Sequence, residues 1–214
     1  LGIAVEIIDH EFNQLYAKIN NSINNLELES LFKDSDEFKY LVKNFKQLEN
    51  KYELLSPLYR ISGASLKTVS GKQIYGYLQK FFENPIRDYS IKLIATTQFL
   101  DHVINIKEPV IHTVYINIVN NAIYWLRNSI NKIIKLDYFE DTNEFLIVNS
   151  GQRIEEHRLE KIFQLFYSNR PNGRGIGLYL AKQILLESGF DIYATNDKAY
   201  NTFNGACFVI KLKS

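Results

Sequence analysis

Apolar residues Val5, Ile8, Phe12, Leu15, Ile19 and Leu26 recur at steps of three, four or seven, the seam of a long amphipathic helix. A second seam, Phe38, Leu41, Phe45, Leu48, Tyr52, Leu55 and Tyr59, alternates three and four without a break. It follows Asp34-Ser35-Asp36-Glu37, whose Asp-x-x-Glu spacing suits a capping box. The short connection predicts antiparallel helices. Two helices bury too little surface alone, so the hairpin is expected to pair with a second copy into a four-helix bundle, a homodimer through residues 1–62. Pro57, Gly63 and the serines around them break the pattern and place a boundary near residue 62.

From 63 to 214 the texture changes. The pattern predicts a helix over 72–82, a strand over 89–95, a helix from Pro109 to about Arg127, and strands over 132–139 and 144–149. A short helix near 155–165, a glycine loop, a helix over 176–186, and strands near 191–195 and 206–212 complete the chain. The fold class expected is α+β: an N-terminal antiparallel helical hairpin, then an α/β sandwich whose sheet carries helices on one face.

Composition narrows the reading. The chain has 214 residues, 46% hydrophobic and 14% aromatic, ample for a packed core. Its 25 basic and 24 acidic residues are interspersed, so nothing points to nucleic acid as a partner. The single cysteine, Cys207, excludes an intrachain disulfide and a multi-cysteine metal site; in an alternating strand it reads as a small core residue and fits a cytoplasmic location. The chain begins at Leu1 and contains no Met, which reads as a piece of a longer protein whose upstream sensor region is absent.

Two motifs carry chemistry. In Asn172-Gly173-Arg174-Gly175-Ile176-Gly177-Leu178, three glycines on alternate positions lead into an apolar-periodic helix. Glycine tolerates positive φ and close approach, and a helix N-terminus presents unpaired N–H groups, so the segment reads as a phosphate cradle or as a plain turn. Asn117, Asn120 and Asn121 interrupt an apolar helix although Asn is a poor helix former. Asn117 and Asn121 are four apart and share a face, where amide oxygens suit a hard cation; a satisfied amide pair is the plainer alternative. His102, His112 and His157 have no metal-ligand spacing and read as structural, and Tyr124 and Trp125 are expected in the core or against the hairpin.

In order, these motifs resemble the ATP-binding domain of the GHKL superfamily, which includes sensor histidine kinases, the DNA gyrase B subunit, MutL and the heat-shock chaperone ATPases. Asn117-Ile118-Val119-Asn120-Asn121-Ala122 is similar to the family's N box, which implies Asn121 as the Mg²⁺ ligand. Val148-Asn149-Ser150-Gly151-Gln152-Arg153-Ile154 stands in place of the first glycine box, usually Asp-x-Gly-x-Gly-Ile. Ile162-Phe163-Gln164-Leu165-Phe166 is similar to the phenylalanine box, and Gly173-x-Gly175-x-Gly177-Leu178 to the second glycine box. The four boxes cover 111–186, and the surrounding elements match from about 65 to 214. ATP and Mg²⁺ are the cofactors implied.

Departures are as informative. The family Asp that accepts from the adenine 6-amino group is Asn149 here; an amide oxygen still accepts, without the charge that strengthens the bond. Arg153 replaces the second glycine of that box. Tyr124 stands where kinases often carry Lys or Arg, and Arg170 falls where a phosphate-contacting Lys is common; Arg174 is a second candidate cation.

Asp9-His10-Glu11-Phe12-Asn13-Gln14-Leu15 is similar to the H box of histidine kinases, without its proline. His10 lies about 200° around the helix from Ile8, away from the seam. The resemblance implies His10 as phosphoryl acceptor, Glu11 holding or deprotonating the far ring nitrogen, and Gln14 beside it. Hydrolytic members carry Glu four residues before the metal-binding Asn; here that position is Asn117, which favours a kinase. The expected function is a histidine kinase core that autophosphorylates and passes the phosphoryl group to a response regulator receiver domain. The rival is a nucleotide-gated pseudokinase or ATPase-like interaction module without phosphotransfer, with Asn149 and Arg153 its support.

Overall fold

The computed structural model describes residues 14–26, 35–46, 64–171 and 173–213. The chain divides into two compact units, Leu1–Gly63 and Ala64–Ser214. His10 and Glu11, the outer parts of both predicted seams, Asp34, Pro57 and Asn172 lie outside the described residues.

In the first unit helix α1 (14–26) runs against helix α2 (36–46). Tyr16 stacks on Phe45 with ring centroids 5.0 Å apart. Ile23 is seven residues beyond Tyr16 and Phe38 seven before Phe45, so an antiparallel pairing brings these two buried side chains to the same level. Ser35 caps α2: the Phe38 N–H donates to Ser35 Oγ at 3.1 Å. The seam also differs from the pattern reading. Leu15, Ile19 and Leu41 are exposed while Tyr16 stacks on Phe45 and Ile23 and Phe38 are buried, so apolar side chains of both helices also lie outside the contact within the hairpin.

In the second unit the elements are β1 (Leu66–Ser70), α3 (Gly71–Phe81), α4 (Glu83–Asp88), β2 (Lys92–Ala95), α5 (Thr97–Asp101), β3 (Val103–Lys107), α6 (Glu108–Leu126), β4 (Ile133–Phe139), β5 (Glu144–Asn149), α7 (Gly177–Glu187), β6 (Phe190–Ala194) and β7 (Cys207–Leu212). A five-stranded sheet is ordered β2-β4-β5-β7-β6, with β2 parallel to β4 and the other neighbours antiparallel. Strands β1 and β3 form a separate antiparallel pair. Among the described residues no helix is long and apolar enough to cross a membrane.

Local chemistry explains the element ends. Ser70 starts α3 with a reciprocal capping box: its Oγ accepts from the Gln73 N–H, and Gln73 Oε1 accepts from the Ser70 N–H. Thr96 starts α5 by accepting from the Phe99 N–H. The strand expected from Tyr89 begins only at Lys92, because Tyr89 and Ser90 close α4 and Ser90 takes a positive φ of 55°. The helix expected over 155–165 is two single 3-10 turns, Glu156–Arg158 and Lys161–Phe163.

Strand alternation sorts the core. Phe145 and Ile147 face the helices, where Phe99 of α5 meets Tyr115 and Phe145 edge to face. Helix α6 buries Val110, Ile111, Val114, Tyr115, Ile118, Val119, Ala122, Ile123 and Leu126. The sheet's other face is covered in part by the segment between β6 and β7: Tyr200 and Phe203 pack on Leu146, Val148, Cys207 and Val209. Buried Glu144 anchors that cover, accepting from Tyr193 Oη at 3.1 Å and Tyr200 Oη at 2.9 Å. Burial, then the adjacent carboxylate, raise the Tyr193 pKa above the usual phenol value. Cys207 is a buried core thiol, its pKa pushed up to about 12 by burial.

Two glycines of α3 make opposite predictions. A methyl group at Gly71 would overlap the Phe99 carbonyl, whereas one at Gly76, an exposed position inside the helix, meets nothing within 4 Å. Gly76→Ala is expected to raise unfolding free energy by about 0.5–1 kcal/mol in a denaturant titration, and Gly71→Ala to lower it by roughly 1–3 kcal/mol.

Candidate nucleotide-binding site

Helix α6 is apolar on its packed flanks, which leaves its asparagines on the remaining side. Asn120 is exposed, and Asn117 and Asn121 are half-buried one turn apart. Asn117 Nδ2 donates to the Thr113 carbonyl at 2.9 Å, which turns Oδ1 outward toward the glycine loop. There α7 begins: a Cβ at Gly177 would stand 2.5 Å from Asn117 Oδ1. Glycine at this position therefore lets the first turn of α7 lie directly on the asparagine stripe. The N-cap of α7, Ile176, offers no side-chain cap, and the first turn contains no acidic residue. Its leading N–H groups remain available to an anion.

The other end of α6 meets the β5 terminus. A Cβ at Gly151 would lie 3.3 Å from the Trp125 carbonyl and 3.4 Å from Leu126 Cδ2. Gly151 is tied to Asn149, whose Oδ1 accepts the Gly151 N–H at 2.9 Å in an Asx turn. Asn149 is 2% exposed, and its own N–H donates to the Ala206 carbonyl at 2.9 Å. Gly205 presses on the Asn149 carbonyl so closely that any Cβ there would overlap it. The two ends of the site are thus fixed along α6 at residues 117 and 125, about 12 Å apart by helical rise. Asn121 stands midway.

Between them runs the segment from the second 3-10 turn to α7. Phe163 is buried edge to face with Phe208 at 6.3 Å, under Lys182 at 5.1 Å. Phe166 is 74% exposed and adopts φ +66°, with its N–H donating to the Gly175 carbonyl at 2.9 Å. Gly175 takes φ +65°, and a Cβ there would overlap the Phe166–Tyr167 backbone. At Gly173 one would overlap Ser168 Oγ. These two glycines close the loop on itself, and only Gly177 faces α6. The Arg170 guanidinium lies 4.0 Å from the centroid of the Tyr124 ring, which also has Arg127 within 5.6 Å.

The structure thus brings together Asn117, Gly177 and the start of α7 at one end, Asn149 and Gly151 at the other, with Arg170 over Tyr124. Arg174 is exposed and Leu178 half-buried in the first turn of α7. Gln14 is exposed on α1. Sequence reasoning missed Gly205, whose only signal was a glycine just before a strand, and it assigned Tyr124 and Trp125 a packing role. Trp125 is 36% exposed, and Tyr124 serves as a ring for two arginines. Arg153 points to Glu156 at 3.8 Å, with both side chains exposed. His102 stacks on Tyr138 and His112 on Tyr77, each at 3.7 Å, and burial lowers both pKa values.

An ATP phosphate chain fits the uncapped α7 N-terminus, and an amide oxygen of Asn121 is a suitable hard donor for Mg²⁺. Among the described residues no group of three or more His, Cys, Asp and Glu side chains is placed to hold a metal ion.

Two family models match the chain. One, the HEF_HK domain, covers residues 1–64 and includes His10-Glu11-Phe12. The other, histidine kinase-, DNA gyrase B- and HSP90-like ATPase, covers residues 106–214. The sensor protein VanSC of Enterococcus gallinarum is 31% identical over 97 residues, 42% of this chain and 27% of that protein's length. The catalytic domain of histidine kinase ThkA is similar over 70% of this chain and 95% of that one, at 25% identity and a TM-score of 0.59. ThkA solved in complex with the response regulator protein TrrA matches 93% of this chain and 60% of that one at 20% identity and a TM-score of 0.59, a likeness of fold. Because the second model spans more than half of the sequence, the chain belongs to the histidine kinase-, DNA gyrase B- and HSP90-like ATPase family, and it carries a sensor histidine kinase core.

Proposed function

We propose that this core is an ATP-dependent protein histidine kinase that phosphorylates His10. The observation that carries the reading is the double anchoring of α6, with the α7 N-terminus against Asn117 and the Asn149–Gly151 turn against Trp125. A triphosphate at the first end and a base at the second would lie along the asparagine stripe. Mg²⁺ held by Asn121 would neutralise phosphate oxygens. The chain's own groups would do the rest: the α7 N–H groups bind the phosphates, and Arg170 and Arg174 add positive charge from the loop. A neutral His10 ring nitrogen attacks the γ-phosphorus, the bond to the ADP bridging oxygen breaks, and Glu11 takes up or holds the proton on the far ring nitrogen. Gln14, one turn from His10, would sit beside the acceptor.

The exposed apolar side chains Leu15 and Ile19 of α1 and Leu41 of α2 support a homodimer through residues 1–62. The ThkA–TrrA complex supports a response regulator receiver domain as the next acceptor. The two-unit division at Gly63 is consistent with separate acceptor and nucleotide domains, and a cytoplasmic setting suits this chemistry. A second reading, nucleotide binding without phosphotransfer, is favoured by the amide in place of a carboxylate at Asn149.

Incubation with γ-labelled ATP and Mg²⁺ is expected to give acid-labile label on the native chain and none on His10→Ala. Nucleotide binding with no label on the native chain would overturn the kinase in favour of the second reading. Loop placement has its own test. Arg170 precedes Pro171 and resists trypsin, so cleavage after Arg174 reports opening of the loop. Tyr124→Leu is expected to speed that cleavage roughly two- to fivefold, the worth of one exposed cation–π contact, while Tyr124→Phe keeps the native rate. Equal rates in all three proteins would show that the ring does not hold the loop.

A further inference from the structure

The turn after β5 fixes which atom of Asn149 is left for a ligand. An N–H can be accepted only by an oxygen, so the 2.9 Å contact from the Gly151 N–H commits Oδ1 to the turn. The other end of the amide plane is then Nδ2, which makes no hydrogen bond to a described residue and, unlike Asn196 Oδ1 and Asn201 Oδ1, is not shut away from the surface. An aspartate in the same turn would accept the same N–H with one oxygen and present its second oxygen, an acceptor. The amide presents a donor in that place. Reversing the amide would set Nδ2 against the Gly151 N–H, donor to donor, and lose the turn's hydrogen bond. Two further contacts hold the arrangement: the Asn149 N–H on the Ala206 carbonyl, and Gly205 pressed on the Asn149 carbonyl.

A donor is the wrong partner for a purine 6-amino group and the right one for a 6-oxo group. We infer that Asn149 reverses the polarity of base recognition, so that the site takes 6-oxopurine nucleoside triphosphates at least as well as ATP. The inference rests on the proposed reading of Asn149 as the base-contacting residue. Specificity follows because a site built around one donor rejects a second donor facing it.

Calorimetric titration of the full chain with ATP and with inosine triphosphate, both with Mg²⁺, tests it. The two ligands share ribose and phosphates and differ at the 6-position and the adjoining N1 proton. The native chain is expected to bind inosine triphosphate as tightly as ATP or more tightly. Asn149→Asp should move the affinity ratio toward ATP by on the order of tenfold or more. Asn149→Ser, whose hydroxyl either donates or accepts, should bring the ratio near unity and serves if the aspartate variant fails to fold. A native chain that prefers ATP about tenfold, with the ratio unmoved by either substitution, would overturn the inference and leave nucleotide binding intact. If neither nucleotide binds, the inference and the proposed function fall together.

Discussion

The site depends on how closely two backbones approach one helix. Helix α6 is buried along its sheet-facing flanks, so its position is set by the core. The start of α7 and the turn after β5 are then placed by glycines that bring backbone to within contact of it. A side chain at Gly177 would displace the α7 N-terminus from Asn117, and one at Gly151 would push the turn away from Trp125. Either change would move an anchor relative to a stripe of amides that cannot follow, since packed interiors transmit such shifts without absorbing them.

How much of this was legible in the sequence varies with element length. Helices α3, α6 and α7 and strands β4 to β7 carry enough turns or alternations for periodicity to mark them, and the structure places them within a few residues. Strands β1 and β3 and helices α4 and α5 span five or six residues each and were not read as elements at all. Their signals are caps and pairings. Ser70 and Thr96 are caps only because a helix turn follows, and β1 is a strand only because β3 lies beside it. The stretch Glu155–Leu165 shows the opposite failure, since helix-forming residues there are held in two 3-10 turns. Asn196 Nδ2 ties the first of these down, donating to the Ile154 carbonyl and to Glu156.

At the candidate site, residues could be nominated from the sequence and their orientations could not. Asn117, Asn121, Asn149 and the glycines could be picked out as an ordered set, since each residue type is costly where it stands unless something uses it. Which end of the Asn149 amide faces outward follows from one hydrogen bond to a residue two positions on, and spacing cannot reveal it. Gly205 escaped notice for a similar reason: its requirement comes from Asn149, distant in sequence and adjacent through the β5–β7 pairing. The glycine loop changed most in meaning. Two of its three glycines fit the loop to itself, and the third fits it to α6.

The Tyr124 ring sharpens the electrostatics of that loop. An arginine can be held in place by a carboxylate or by an aromatic face, and the two holders differ in what they leave behind. A carboxylate cancels the charge it positions and would repel an incoming phosphate, whereas a ring attracts the cation through its quadrupole and leaves the net charge intact. Arg170 is positioned in the second way, at 4.0 Å from Tyr124, and Arg127 approaches the same ring. No acidic residue stands in the first turn of α7 and no side chain caps it, so no carboxylate there competes for an anion. Replacing the basic residue often found after the N box with Tyr124 thus need not cost the site a positive charge. It places that charge on the loop, at Arg170.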